Sequence, residues 1–101
     1  MAILNIKWQS EEEKNTTKSD FLEKIEQLVA CVAICLWEPN DTDNITLRAF
    51  MEDTRTAIRA YRLLFNEELE YEVFPYEVIF VNLTTHTVIQ AFTRKEVINS
   101  D

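Results

Sequence analysis

YEVIFVNLTTHTVIQAFT, residues Tyr76 to Thr93, is the stretch that decides the fold class. Two runs rich in β-branched and aromatic residues, Tyr76 to Leu83 and Thr87 to Thr93, flank Thr84, Thr85 and His86, the pattern of a β-hairpin. The chain contains no glycine. Tight primed turns, which need positive φ at their centre, are therefore disfavoured, and a longer loop built around an ordinary type I turn is expected. A hairpin is marginal by itself in water, so the remaining sequence has to cover one of its faces.

Working upstream, Glu70 to Pro75 reads as a connection. Before it, Leu47, Phe50, Met51, Thr54, Ala57, Ile58, Tyr61, Leu64, Phe65 and Leu69 recur with helical period, predicting a helix to about Leu69 capped by Thr42, Asp43 or Asn44. A first helix is predicted to start at Ser19 or Asp20, with Glu23 completing a capping box after Asp20. Its stripe is Phe21, Leu22, Ile25, Leu28, Val29, Val32 and Leu36, and Pro39 stops it at Glu38. A buried strand over Val29 to Trp37 is the competing reading. Residues 10–18 hold no apolar side chain and read as a polar loop, while Ala2 to Trp8 alternate as a short strand. The expected architecture is one α+β domain over residues 1–101. Its order is β-α-α-β-β, a two-layer sandwich of two amphipathic helices on a small antiparallel sheet.

Charge and chemistry narrow the function. Eighteen carboxylates stand against ten basic residues, a net charge of −8. That field repels duplex DNA and anionic membranes, favours basic partners, and also serves plain solubility. Lack of glycine removes the dinucleotide and P-loop fingerprints. His86 is the single histidine and the serines are Ser10, Ser19 and Ser100, which do not make a convincing triad. Cys31 and Cys35, four apart on a helix, are expected to be reduced and cannot complete a zinc site with one histidine. Asp41, Asp43 and Glu52 echo an EF-hand loop, but Ile45 and Thr46 stand where an oxygen ligand and glycine are required. The reading is a non-enzymatic protein with no cofactor or metal. Without a secretory pattern or a long apolar run, a cytoplasmic location is expected, the host cytoplasm if the protein is viral. Asn15, Asn44 and Asn82 head Asn-x-Thr triplets that are treated as chance.

Three surfaces are candidates for contact. Glu67, Glu68, Glu70 and Glu72, near the end of the second helix, oppose its dipole, a cost that a partner-binding role would explain and a solvated rim would not need to. Arg48, Arg55, Arg59 and Arg62 form a stripe on that helix, either an anion-binding ridge or cations paired over the core edge. Ile34 and Trp37 point away from the main stripe of the first helix, which places them inside the fold or at a dimer or partner interface. Compositionally the chain looks like the small acidic inhibitors of nucleases, toxins and defence complexes, with no motif tying it to a named family. The leading expectation is an inhibitor or immunity-type factor that blocks a basic, nucleic-acid-binding surface of a larger protein, using the four glutamates with Trp37 as anchor. The alternative is a homodimeric regulatory module, joined through Ile34 and Trp37, whose arginine stripe holds an anionic ligand.

Overall fold

The computed structural model describes residues 7–41 and 43–98. Their order is α1 (Glu11–Trp37), a 3-10 turn (Pro39–Asp41), α2 (Asn44–Phe65), β1 (Leu69–Val73), β2 (Glu77–Asn82), β3 (Thr87–Thr93) and α3 (Arg94–Ile98). The class is α+β, and the three strands form one antiparallel sheet in the order β1-β2-β3. Among the described residues the helices come first, so the expected β-α-α-β-β order is not matched there. Of the predicted first strand, residues 2–6 lie outside the described residues, and Lys7 and Trp8 are not in a strand.

Residues 11–18, expected as loop, are the first two turns of α1. Their helix is set by a cap. The Ser10 side chain accepts from the Glu13 amide at 3.0 Å, and the Glu13 carboxylate accepts from the Gln9 amide at 3.2 Å. Glu11, Glu12 and Glu13 then place negative charge where the helix dipole is positive. The helix ends where Pro39 dictates: Glu38 is the C-cap, donating its amide to the Ile34 carbonyl at 2.8 Å. Val29 to Trp37 is helical throughout, so the competing strand is ruled out.

Asp43 caps α2, accepting from the Thr46 amide at 2.6 Å, a bond that holds its carboxyl below the ordinary value. The helix stops at Phe65, four residues earlier than expected, because Asn66 takes a left-handed conformation at φ 55. In a chain without glycine, asparagine is the residue that tolerates this best. The stop frees Leu69 to Val73 to become β1, which alternates buried or half-buried Leu69, Tyr71 and Val73 with exposed Glu70 and Glu72. The β2–β3 connection is four residues, Leu83 to His86, with His86 at φ 58. The Asn82 side-chain oxygen accepts from the Thr84 and Thr85 amides at 3.0 Å each. A register shift at Phe80/Val81 leaves Ile89 unpaired and half-buried beside the core.

The core is one cluster of Ile25, Val29, Ala33, Trp37, Tyr61, Leu69, Val78, Phe80 and Phe92. α1 touches β1, β2 and α3 and packs most extensively on α2, which itself meets the sheet at β1. The molecule is elongated, 45 × 25 × 23 Å.

Candidate functional site

The four glutamates predicted to bind a partner do not share one environment. Glu67 is turned inward, 17% exposed at its side chain. Its Oε2 accepts from Lys18 Nζ at 3.0 Å, and its Oε1 accepts from Tyr61 Oη at 2.8 Å and Asn82 Nδ2 at 3.0 Å. Burial alone would raise its carboxyl, but those bonds and the Lys18 charge hold it below the ordinary value. Tyr61 is pushed up, first by burial and then by Glu67. Lys18 Nζ also lies 5.9 Å from the centroid of the Phe65 ring, on which Trp8 stacks at 5.6 Å. Glu67 is therefore a structural hub joining α1, α2 and β2. Glu68 is committed as well, paired with Arg62 at 3.1 Å. Glu70 and Glu72 are exposed and, among the described residues, have no cation within ion-pair distance.

Trp37 is 7% exposed and belongs to the core, and its indole N–H donates to the Phe74 carbonyl at 2.8 Å. Arg94 Nη2 donates to the Trp37 carbonyl at 3.2 Å, bringing a cation from α3 to the C-terminal end of α1. The expected roles of Trp37 as partner anchor and as dimer contact are corrected accordingly. Ile34 is at the surface, 37% exposed.

The arginine stripe is divided. Arg48 is exposed near the start of α2, whereas Arg55, Arg59 and Arg62 line a groove between α2 and β1 together with Glu68, Glu70 and Tyr71. Arg55 sits 3.7 Å from Glu52, both well exposed, and its charge works on Tyr71 against the larger effect of burial, which raises that phenol. Arg59 has no ion pair among the described residues. Cys35 is buried and Cys31 half-buried, with the Cys31 thiol raised by burial and by Cys35.

Strand register shows a surface that periodicity did not single out. All of α1, α2 and α3 reach the core face of the sheet, the face of Leu69, Val78, Phe80 and Phe92. The opposite face carries Glu70 and Glu72 from β1, Glu77, Ile79 and Val81 from β2, and Val88, Ala91 and Thr93 from β3. Glu70 pairs across with Val81 and Glu72 with Ile79, while Ile79 faces Ala91 and Val81 faces Val88. Among the described residues no helix covers this face, and Val88 is 62% exposed. It presents half-buried Ile79 and Val81 with exposed Val88 and Ala91 beside Glu70, Glu72 and Glu77, and Glu70 also borders the arginine groove. The signal for it was present in the alternation Leu69-Glu70-Tyr71-Glu72-Val73, which marks β1 as a strand with both glutamates on one side.

Comparison with protein-family models, curated proteins and solved structures finds no match. Among the described residues no helix is long and apolar enough to cross a membrane.

Proposed function

We propose that this protein is a non-enzymatic binding module that docks onto a basic surface of a larger protein through the sheet face that no described helix covers, acting as an inhibitor of that surface. The observation that carries this reading is the exposed, unpaired pair Glu70 and Glu72 beside Ile79 and Val81. Elsewhere on the chain, Glu67 and Glu68 have donors of their own; here the carboxylates border apolar area. That combination suits an interface in which apolar contact supplies affinity and charge supplies steering and register. The overall charge of −8 adds a long-range attraction for a basic partner and opposes nucleic acid as the ligand.

The test is capture of a basic protein from host lysate, read by native mass spectrometry, with the wild-type chain and with Glu70→Lys/Glu72→Lys. A stoichiometric complex is expected for the wild type and its loss for the variant, with unchanged circular dichroism. Capture that survives the reversal overturns the reading. A second reading, an anionic ligand held in the α2–β1 groove, is favoured by Arg59 lacking an ion pair among the described residues. Replacing Arg55 and Arg59 with glutamine should then abolish binding of inorganic phosphate or polyphosphate, and unchanged affinity would dismiss it.

A further inference from the structure

We infer that the open edge of β1 is the seat of this chain's own residues 2–6, which join the sheet there as a fourth, antiparallel strand. The inference does not depend on the docking reading above. It starts from backbone groups. In an antiparallel pair, hydrogen-bonded and non-hydrogen-bonded positions alternate. Bonds from the Phe74 amide to the Glu77 carbonyl and from the Leu83 amide to the Glu68 carbonyl fix the phase between β1 and β2. Glu70 and Glu72 therefore bond β2, whereas Leu69, Tyr71 and Val73 turn their N–H and C=O groups to the other side. Among the described residues nothing bonds them there. β1 has neither a bulge nor a proline to blunt that edge.

Position then selects the occupant. Trp8 stacks on Phe65, with 5.6 Å between the ring centroids. Phe65, Ile58 and Met51 follow one another at seven-residue steps, which makes them one line along α2. Half-buried Ile58 and exposed Met51 line the α2–β1 groove with Leu69 and Tyr71. Arg62 pairs with Glu68 and the Arg55 charge acts on Tyr71, so β1 runs back along α2 from its C-terminal end. From Phe65 to Met51 is about 21 Å along the helix, and an extended chain from Trp8 to Ala2 covers about 20 Å. Held at Trp8, residues 6 to 2 follow the groove beside β1, and their chain direction is opposite to that of β1.

The sequence fits the seat. Ala2, Leu4 and Ile6 alternate with Ile3 and Asn5, and five residues lie against the five of β1, pairing Ile6 with Leu69, Leu4 with Tyr71 and Ala2 with Val73. Directly opposite residues share a face of the sheet, so Leu4 and Ile6 fall on the side of Leu69, Tyr71 and Ile58 and also meet the outward-turned backbone groups. A slip by one residue breaks both matches. A second copy of this chain is a worse occupant. In every register that pairs three or more residues of two β1 edges on a common face, Glu70 or Glu72 of one copy stands directly opposite a glutamate of the other, which is destabilising. A tethered segment also competes at an effective concentration of about a millimolar, which a strand from another protein has to match.

The experiment uses the full chain, isotope-labelled for nuclear magnetic resonance. Cross-strand Overhauser contacts are expected between Leu4 and Tyr71 and between Ile6 and Leu69, independent of protein concentration. The Tyr71 and Val73 amides are expected to exchange with solvent at least tenfold more slowly than in Leu4→Pro, which removes the N–H facing Tyr71, while the amides of Val78 and Phe80 exchange alike in both proteins. Absence of contacts between residues 2–6 and β1 in the wild-type chain overturns the inference, whatever the variant does. So do contacts of residues 2–6 with β3, and so does exchange at Tyr71 and Val73 that is equally fast in both proteins. Protection of Tyr71 that rises with concentration, together with a dimer by light scattering, assigns the edge to a second copy and overturns it as well.

Discussion

At Glu67 one carboxylate serves Lys18 of α1, Tyr61 of α2 and Asn82 of β2. Its folded value lies below the ordinary carboxylate range, so its contribution to stability is complete above the unfolded value of about 4.3 and is lost as pH falls through the lower folded value. Glu67→Gln keeps the shape but turns an amide N–H₂ toward Lys18 or toward the Tyr61 and Asn82 donors. The expected cost is about 1–3 kcal/mol at neutral pH, with a flatter acid limb in urea unfolding followed from pH 7 to pH 2. An unchanged acid limb would mean that other carboxylates set it. Trp37 gives a second check at this scale. Because it is buried and bonded to the Phe74 carbonyl, Trp37→Ala should cost about 3–5 kcal/mol and leave the oligomeric state as it was. A change in mass by light scattering without loss of stability would return Trp37 to an interface.

Elements show what short-range reading picks up and where it stops. Pro39 ends α1, Asp43 starts α2, and the Tyr76–Thr93 hairpin appears as β2 and β3, since each rests on dihedral limits, caps or period visible within a few residues. Residues 11–18 carry no apolar periodicity, so no stripe marks them as helical. Their helix is held by the Ser10–Glu13 cap and by Lys18 reaching Glu67, 49 positions along the chain. The tetrapeptide Ser10-Glu11-Glu12-Glu13 has the sequence pattern of a capping box, although the Glu13 carboxylate accepts from the Gln9 amide and not from that of Ser10. Thr93-Arg94-Lys95-Glu96 is another: the Glu96 amide donates to Thr93 Oγ1 at 3.1 Å and opens α3, which apolar pattern did not suggest. Ser10→Ala should cost about 1 kcal/mol, with hydrogen exchange accelerated over residues 11–18 and unchanged in α2. Uniform acceleration would show that α1 has no independent N-terminal unit.

For the whole molecule, the balance of −8 matters most for how partners meet. Association with a basic protein should slow as salt is raised from 50 to 300 mM, while dissociation changes little, because the screening length falls from about 14 Å to about 6 Å over this range. Stopped-flow or surface-based kinetics would read this directly, and a salt effect confined to dissociation would assign the carboxylates to short-range contacts. The charges are sorted by the fold. Arg55, Arg59 and Arg62 share the α2–β1 groove with Glu68 and Glu70, whereas Glu72 and Glu77 stand on the opposite face of the sheet from the core.

From the residue sequence alone followed the α+β class, the acidic balance, both helical stripes and the hairpin, all of which depend on composition or on neighbours within about two helical turns. The tertiary structure decided which members of each candidate set are free. Glu67, Glu68, Glu70 and Glu72 are near neighbours in sequence with the same ionisable group, yet the first is enclosed by three donors from distant elements, the second is paired with Arg62, and the last two stand on an open face. Trp37 was equally ambiguous until the turn after β1 and Arg94 closed over the end of α1. Such assignments depend on contacts that run from the six positions between Tyr61 and Glu67 to the 57 between Trp37 and Arg94, and chain folding, which no helical or strand period encodes, is what brings those partners together.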